Sequence, residues 1–75
     1  MSLTETYPEK EVPKIKEALE IYLSRFGTKR NVTLQYAVHK AGTLYGYVVD
    51  YMVDHGIGMP CNREDAMQYL RKLKS

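Results

Sequence analysis

The side chains best suited to chemistry are His39, His55 and Cys61, with the carboxylates Asp50 and Asp54 between the two histidines and the thiol. A general acid or base needs a partner that holds and tunes it, and a nucleophilic thiol needs a base within reach. His39 and His55 belong to different helical segments with no carboxylate at a ligand or relay spacing, and no nearby histidine serves Cys61. One cysteine cannot close an internal disulfide, and no Cys/His spacing of a metal site accompanies it, which fits a reducing cytoplasm. Cys61 is therefore expected to be an inert small side chain. No catalytic residue, metal or cofactor is expected, and the chain reads as a non-enzyme.

Contact with nucleic acid or protein is the chemistry left to weigh. Lys29, Arg30 and Lys40, with the terminal Arg71, Lys72 and Lys74, are the cations that would sit on backbone phosphates. Tyr45, and Tyr47 beside it, would stack on bases or touch thymine methyls. The overall balance does not demand such a role: 11 Lys plus Arg against 9 Asp plus Glu leave a net charge of +2. That is far from the dense basic charge that holds a protein to nucleic acid by electrostatics alone. Solvated surface charge accounts for the cations equally well, and packing for the tyrosines.

The elements that position these residues follow from apolar spacing. Ile15, Ala18, Leu19, Tyr22, Leu23 and Phe26 recur every three or four residues, with charge on the other side, so an amphipathic helix is predicted from Pro13 to Phe26 or Gly27. Pro13 suits the first turn, where a missing amide hydrogen costs nothing, and Gly27 suits a left-handed cap. Thr33 is placed to cap a second helix of about eight residues whose face is Leu34, Ala37, Val38 and Ala41. Gly42 then makes the turn, and Thr43 is expected to cap a third helix over Leu44 to His55, closed by Gly56. Positive charge on His55 would suit the carboxyl end of that helix. Residues 57–61 are an extended link, and Asn62 caps a last helix carrying Ala66, Met67, Leu70 and Leu73 on its apolar face.

The prediction is an all-α, four-helix, helix-turn-helix-like single domain over 1–75, with an arm or short strand at 1–12 and a helical core at 13–74. No run of about 18 apolar residues is present, and the amino end lacks a basic-then-apolar leader, so no membrane association is expected.

A helix-turn-helix needs small residues where its helices cross, a glycine in the turn, and apolar residues on the inner side of the second helix. Ala37, Ala41, Gly42, Val48 and Tyr51 meet those needs. The third helix is unusual in its outer face. A reader of base edges carries Arg, Lys, Asn or Gln there, whereas between Leu44 and Val53 only Gly46 and Asp50 are neither apolar nor tyrosine. So short a chain buries only about 60 to 65 percent of its unfolded surface, too little to hide such a helix. Leu44, Tyr45, Val49, Met52 and Val53 are therefore expected to meet a second copy of the chain or another protein.

The stretch from about Lys16 to Asp65 resembles a small family of prokaryotic helix-turn-helix proteins regarded as antitoxins or regulators. The residues that carry the likeness are Ala18 to Leu23, Val32 to Ala37, Ala41-Gly42, Tyr47 to Val53, and His55-Gly56-Ile57. The resemblance implies DNA binding, or a grip on a toxin-like partner. The expectation is a small homodimeric regulator that touches DNA weakly through Lys29, Arg30, Lys40 and Tyr45 while another surface holds a protein. The alternative is an interaction module with no nucleic-acid role.

Overall fold

The computed structural model describes residues 7–74. A 3-10 turn over Glu9–Glu11 leads into α1 (Val12–Arg25), followed by α2 (Leu34–Ala41), α3 (Tyr45–Asp54) and α4 (Arg63–Lys74), with no strand among the described residues. The all-α architecture is the one expected. The expected boundary of the arm at residue 12 is corrected: ordered turns begin at Glu9, and Tyr7 is already buried in the core. The helix can start at Val12 because Pro13 falls in the first turn, where its lacking N–H breaks no bond. The part of the expected arm or strand that falls on residues 1–6 lies outside the described residues.

α1 is the hub, packing against α2, α3 and α4. Its stripe of Ile15, Leu19 and Leu23 is fully buried, in the same core cluster as Val48 of α3. Burying each such side chain is worth about 1.5–3 kcal/mol, so this stripe is a main source of stability.

The helix ends show how local sequence sets the layout. After α1 the chain turns through Phe26 (φ −62, ψ 131) and Gly27 (φ +78), and Thr28 N–H donates to the Arg25 carbonyl at 3.1 Å. These angles define a type II turn, which requires positive φ at its second central residue. Gly27 thus has the expected left-handed conformation, but in a turn following the helix. Arg63, opening α4, completes this end by donating from Nη1 to the carbonyls of Ser24 (2.8 Å) and Phe26 (3.0 Å).

The Thr33 hydroxyl accepts from Tyr36 N–H at 3.0 Å and caps α2. α2 closes on Gly42 (φ +78) with a Schellman pair: Gly42 N–H donates to the His39 carbonyl and Thr43 N–H to that of Val38. α3 closes the same way, with Gly56 N–H on the Val53 carbonyl and Ile57 N–H on that of Met52, and Ile57 drops into the core. Asn62 Oδ1 accepts from Asp65 N–H at 2.9 Å to start α4, and Asp65 Oδ2 reaches back to Cys61 N–H.

α3 departs from expectation at both ends. Thr43 does not cap it: its hydroxyl donates to Glu11 Oε1 at 3.1 Å, tying the turn to the segment before α1. The cap position falls to Leu44, which is extended (φ −110, ψ 144) and offers no side-chain oxygen, so the helix starts one residue later. At the other end His55 has left helical geometry and stacks on Tyr51, with ring centroids 4.0 Å apart. The charge set against the carboxyl end of α3 is supplied by Lys72, whose Nζ donates to the Gly56 carbonyl at 3.1 Å.

Candidate functional site

α3 presents three stripes to three surroundings. Val48, Tyr51 and Met52, spaced three and four apart, face the core. Tyr45, Val49 and Val53, at i, i+4 and i+8, form the next stripe: Tyr45 is 45% exposed and Val53 78% exposed, with Val49 half-buried. Gly46, Asp50 and Asp54 form the third and face outward or partly so. Met52, expected at an interface, is 5% exposed on the face it shares with Val48, and it also lines the groove along α3. Leu44, 58% exposed, precedes the second stripe.

The Tyr45–Val53 stripe forms the wall of a continuous surface channel. At one end lies a groove of about 450 Å³ between the end of α1 and the start of α2, where Tyr22, Phe26 and Asn31 line it. It opens into an apolar groove of about 270 Å³ along α3, where Val49, Val53 and Ile57 take over. Leu34, Tyr45 and Met59 line both. Val53 also borders a separate, smaller recess with Tyr7, Asp50 and Asp54. Met59, 58% exposed, forms the lip opposite α3.

The residues that line the two grooves carry no charge. The amino end of α2 is entered through the exposed cations Lys29 and Arg30, directly before Asn31. On the neighbouring stripe of α3, Asp54 Oδ2 accepts from the Tyr7 hydroxyl at 2.8 Å and lies 3.9 Å from His55 Nε2. Tyrosines stand along the whole course. The hydroxyl of Tyr22 has its pKa raised, first by burial and then by the neighbouring Tyr45, and that of Tyr51 is raised by burial and then by Asp54.

The residues expected to touch DNA are not brought together. Lys29 and Arg30 precede α2 and Lys40 lies in its last turn, so the eight-residue helix, about 12 Å long, separates them. Tyr45 belongs to the apolar channel. Of the terminal cations, Lys74 pairs with Glu20 at 3.3 Å and Lys72 is drawn to Gly56. The reactive side chains stand apart too: His39, His55 and Cys61 are exposed, and among the described residues no three His, Cys, Asp or Glu side chains gather as metal ligands. No helix among those residues is long and apolar enough to cross a membrane.

Met59, Phe26 and Tyr22 complete the channel without having been expected there. Met59 sits in the Gly/Pro-rich link, where no periodicity assigns a face, and the two aromatics read as core from their place on the α1 stripe. No family model, curated protein or solved structure matches the chain.

Proposed function

We propose that this chain is a small protein-association domain whose working surface is the apolar channel between α3 and Met59. The observation that carries the reading is the exposure of Tyr45, Val53 and Met59 along one continuous channel, with Leu44 exposed beside it. Large apolar side chains gathered on one surface, rather than scattered singly, gain free energy when another protein covers them.

A DNA-reading role, as the resemblance to antitoxin-type regulators implies, has less support. α3 would enter the groove with Asp50 and Asp54 and with no cation between Leu44 and Asp54. The candidate phosphate contacts lie at opposite ends of α2.

Site-specific photocrosslinking tests the proposal. A photoreactive phenylalanine analogue in place of Val53 is expected to give a discrete adduct, both in the purified protein at high concentration and in the cells that make it. The same analogue in place of Glu17, exposed on α1, gives none. Absence of any Val53 adduct in both settings, together with tight, steeply salt-dependent binding to random duplex DNA, would replace the association domain with a nucleic-acid binder.

A further inference from the structure

Met59 belongs to the link between α3 and α4, and the link is fastened on both sides of it. Ile57 and Pro60 are buried, Lys72 Nζ donates to the Gly56 carbonyl at 3.1 Å, and Asp65 Oδ2 accepts from Cys61 N–H at 3.2 Å. Tyr69 of α4 lies against Gly58, so close that a Cβ there would stand 2.8 Å from its hydroxyl oxygen. The backbone is thereby held, and the Met59 side chain stays where the two grooves meet, lining both.

The same side chain offers its sulfur to solvent. Met59 is 58% exposed, whereas Met52, which shares the groove along α3, is 5% exposed and Met67 of α4 is half-buried. An oxidant in solution therefore reaches Met59 ahead of either of them. Its arrival alters a lip that faces side chains without charge.

We propose that Met59 is a modification site, an oxidation switch that turns the association surface off. This rests on the association-domain reading and supplies its regulation. A hydroperoxide transfers one oxygen to Met59 Sδ: a sulfur lone pair forms the S–O bond, the O–O bond breaks, and the other oxygen leaves as water or an alcohol. The proton of the transferred oxygen passes to the leaving one. Sulfur is oxidised by two electrons and the peroxide is reduced by two. The sulfoxide puts a polar group where a flexible apolar side chain stood, and a sulfoxide reductase reverses the change. A protein fitted to the apolar lip must then strip water from the new oxygen or trap water beneath it, and either weakens the contact.

The test uses the full chain with Cys61→Ser and the photoreactive phenylalanine analogue in place of Val53. Cys61 is exposed but lines neither groove, and the serine removes a competing sulfur. Graded hydrogen peroxide, quenched with catalase and followed by peptide mass mapping, is expected to add oxygen to Met59 before Met52 or Met67. The Val53 adduct, read in purified protein at high concentration and in extract of the cells that make it, should then fall about fivefold or more. The helical spectrum should not change, and reductase treatment should bring the adduct back. In a Met59→Leu variant the same peroxide treatment is expected to leave that variant's own adduct yield where it began. Oxygen appearing first on Met52 or Met67, or an adduct kept after Met59 is oxidised, would overturn the switch and leave the association surface standing. So would an adduct lost equally in Met59→Leu or lost together with the helical signal. No adduct from unoxidised protein in either setting would remove the association reading, and the switch with it.

Discussion

The Tyr7 hydroxyl donates a 2.8 Å hydrogen bond to Asp54 Oδ2, 47 residues along the chain, and fastens the segment before α1 to the end of α3. The ring also packs on Tyr51, 5.6 Å between centroids and tilted by 59°. The contact closes one side of the recess that Tyr7, Asp50, Val53 and Asp54 line. Removing the hydroxyl separates the bond from the packing. Tyr7→Phe is expected to cost about 0.5–1.5 kcal/mol, and Tyr7→Ala clearly more through lost burial. In a double-mutant cycle with Asp54→Ala, urea unfolding should show the Tyr7→Phe penalty vanish once the acceptor is gone. Strictly additive penalties would mean that the hydrogen bond contributes nothing.

Leu44 holds the cap position of α3 with no side-chain oxygen, and its side chain is largely exposed. Leu44→Ser supplies an oxygen for the free amides of the first turn. It is expected to stabilise the monomeric fold by about 0.5–1 kcal/mol while weakening association. Opposite changes in thermal midpoint at low concentration and in the yield of the Val53 photoadduct are the signature. A loss in both would mean that Leu44 serves the fold rather than the surface.

Gly27 and Gly42 both have φ of +78 but differ in surroundings. An alanine Cβ at Gly42 meets nothing within 4 Å, so Gly42→Ala is expected to cost only the left-handed conformation, about 1–2 kcal/mol. At Gly27 the same Cβ would stand 3.1 Å from Arg63 Cβ, on the side chain that holds the Ser24 and Phe26 carbonyls. Gly27→Ala should therefore be the more damaging in chemical denaturation. Equal penalties would show that the start of α4 yields without cost.

Tyr22 and Tyr51 are buried, and burial raises the pKa of each above the ordinary value, with Tyr45 and Asp54 adding to the rise. A group whose pKa is higher in the folded state holds its proton more tightly there. Its contribution is complete below the unfolded value of about 10 and is lost as pH rises through the folded value. Unfolding free energy should fall steadily from about pH 9.5 upward. Tyrosinate absorbance should appear in two waves, the exposed rings first. Stability independent of pH over that range would contradict the raised pKa values of the two rings.

Much of the fold could be read before any coordinates. The stripe from Ile15 to Phe26 and the Thr33 and Asn62 caps are local signals, set by residues a turn apart. The burial of Met52 is not legible locally, because a helix apolar on most sides gives no internal cue as to which face turns inward; packing against distant residues decides that. Thr43 misled for the same reason, since Glu11, 32 residues away, competes for its hydroxyl. The channel was half legible. The α3 side was expected to be sticky, whereas Met59 joins it only through the path of the link after α3.

One guanidinium joins Ser24 and Phe26 to Arg63, 39 and 37 residues further along. Everything between, α2 and α3 included, is thereby strung on a single noose with its knot at the junction of α1 and α4. Tightening so wide a loop costs chain entropy that neighbouring turns never face. Slipping that knot would part the end of α1 from the start of α4, while buried Val48 and the Tyr7–Asp54 bond still moor the sticky helix.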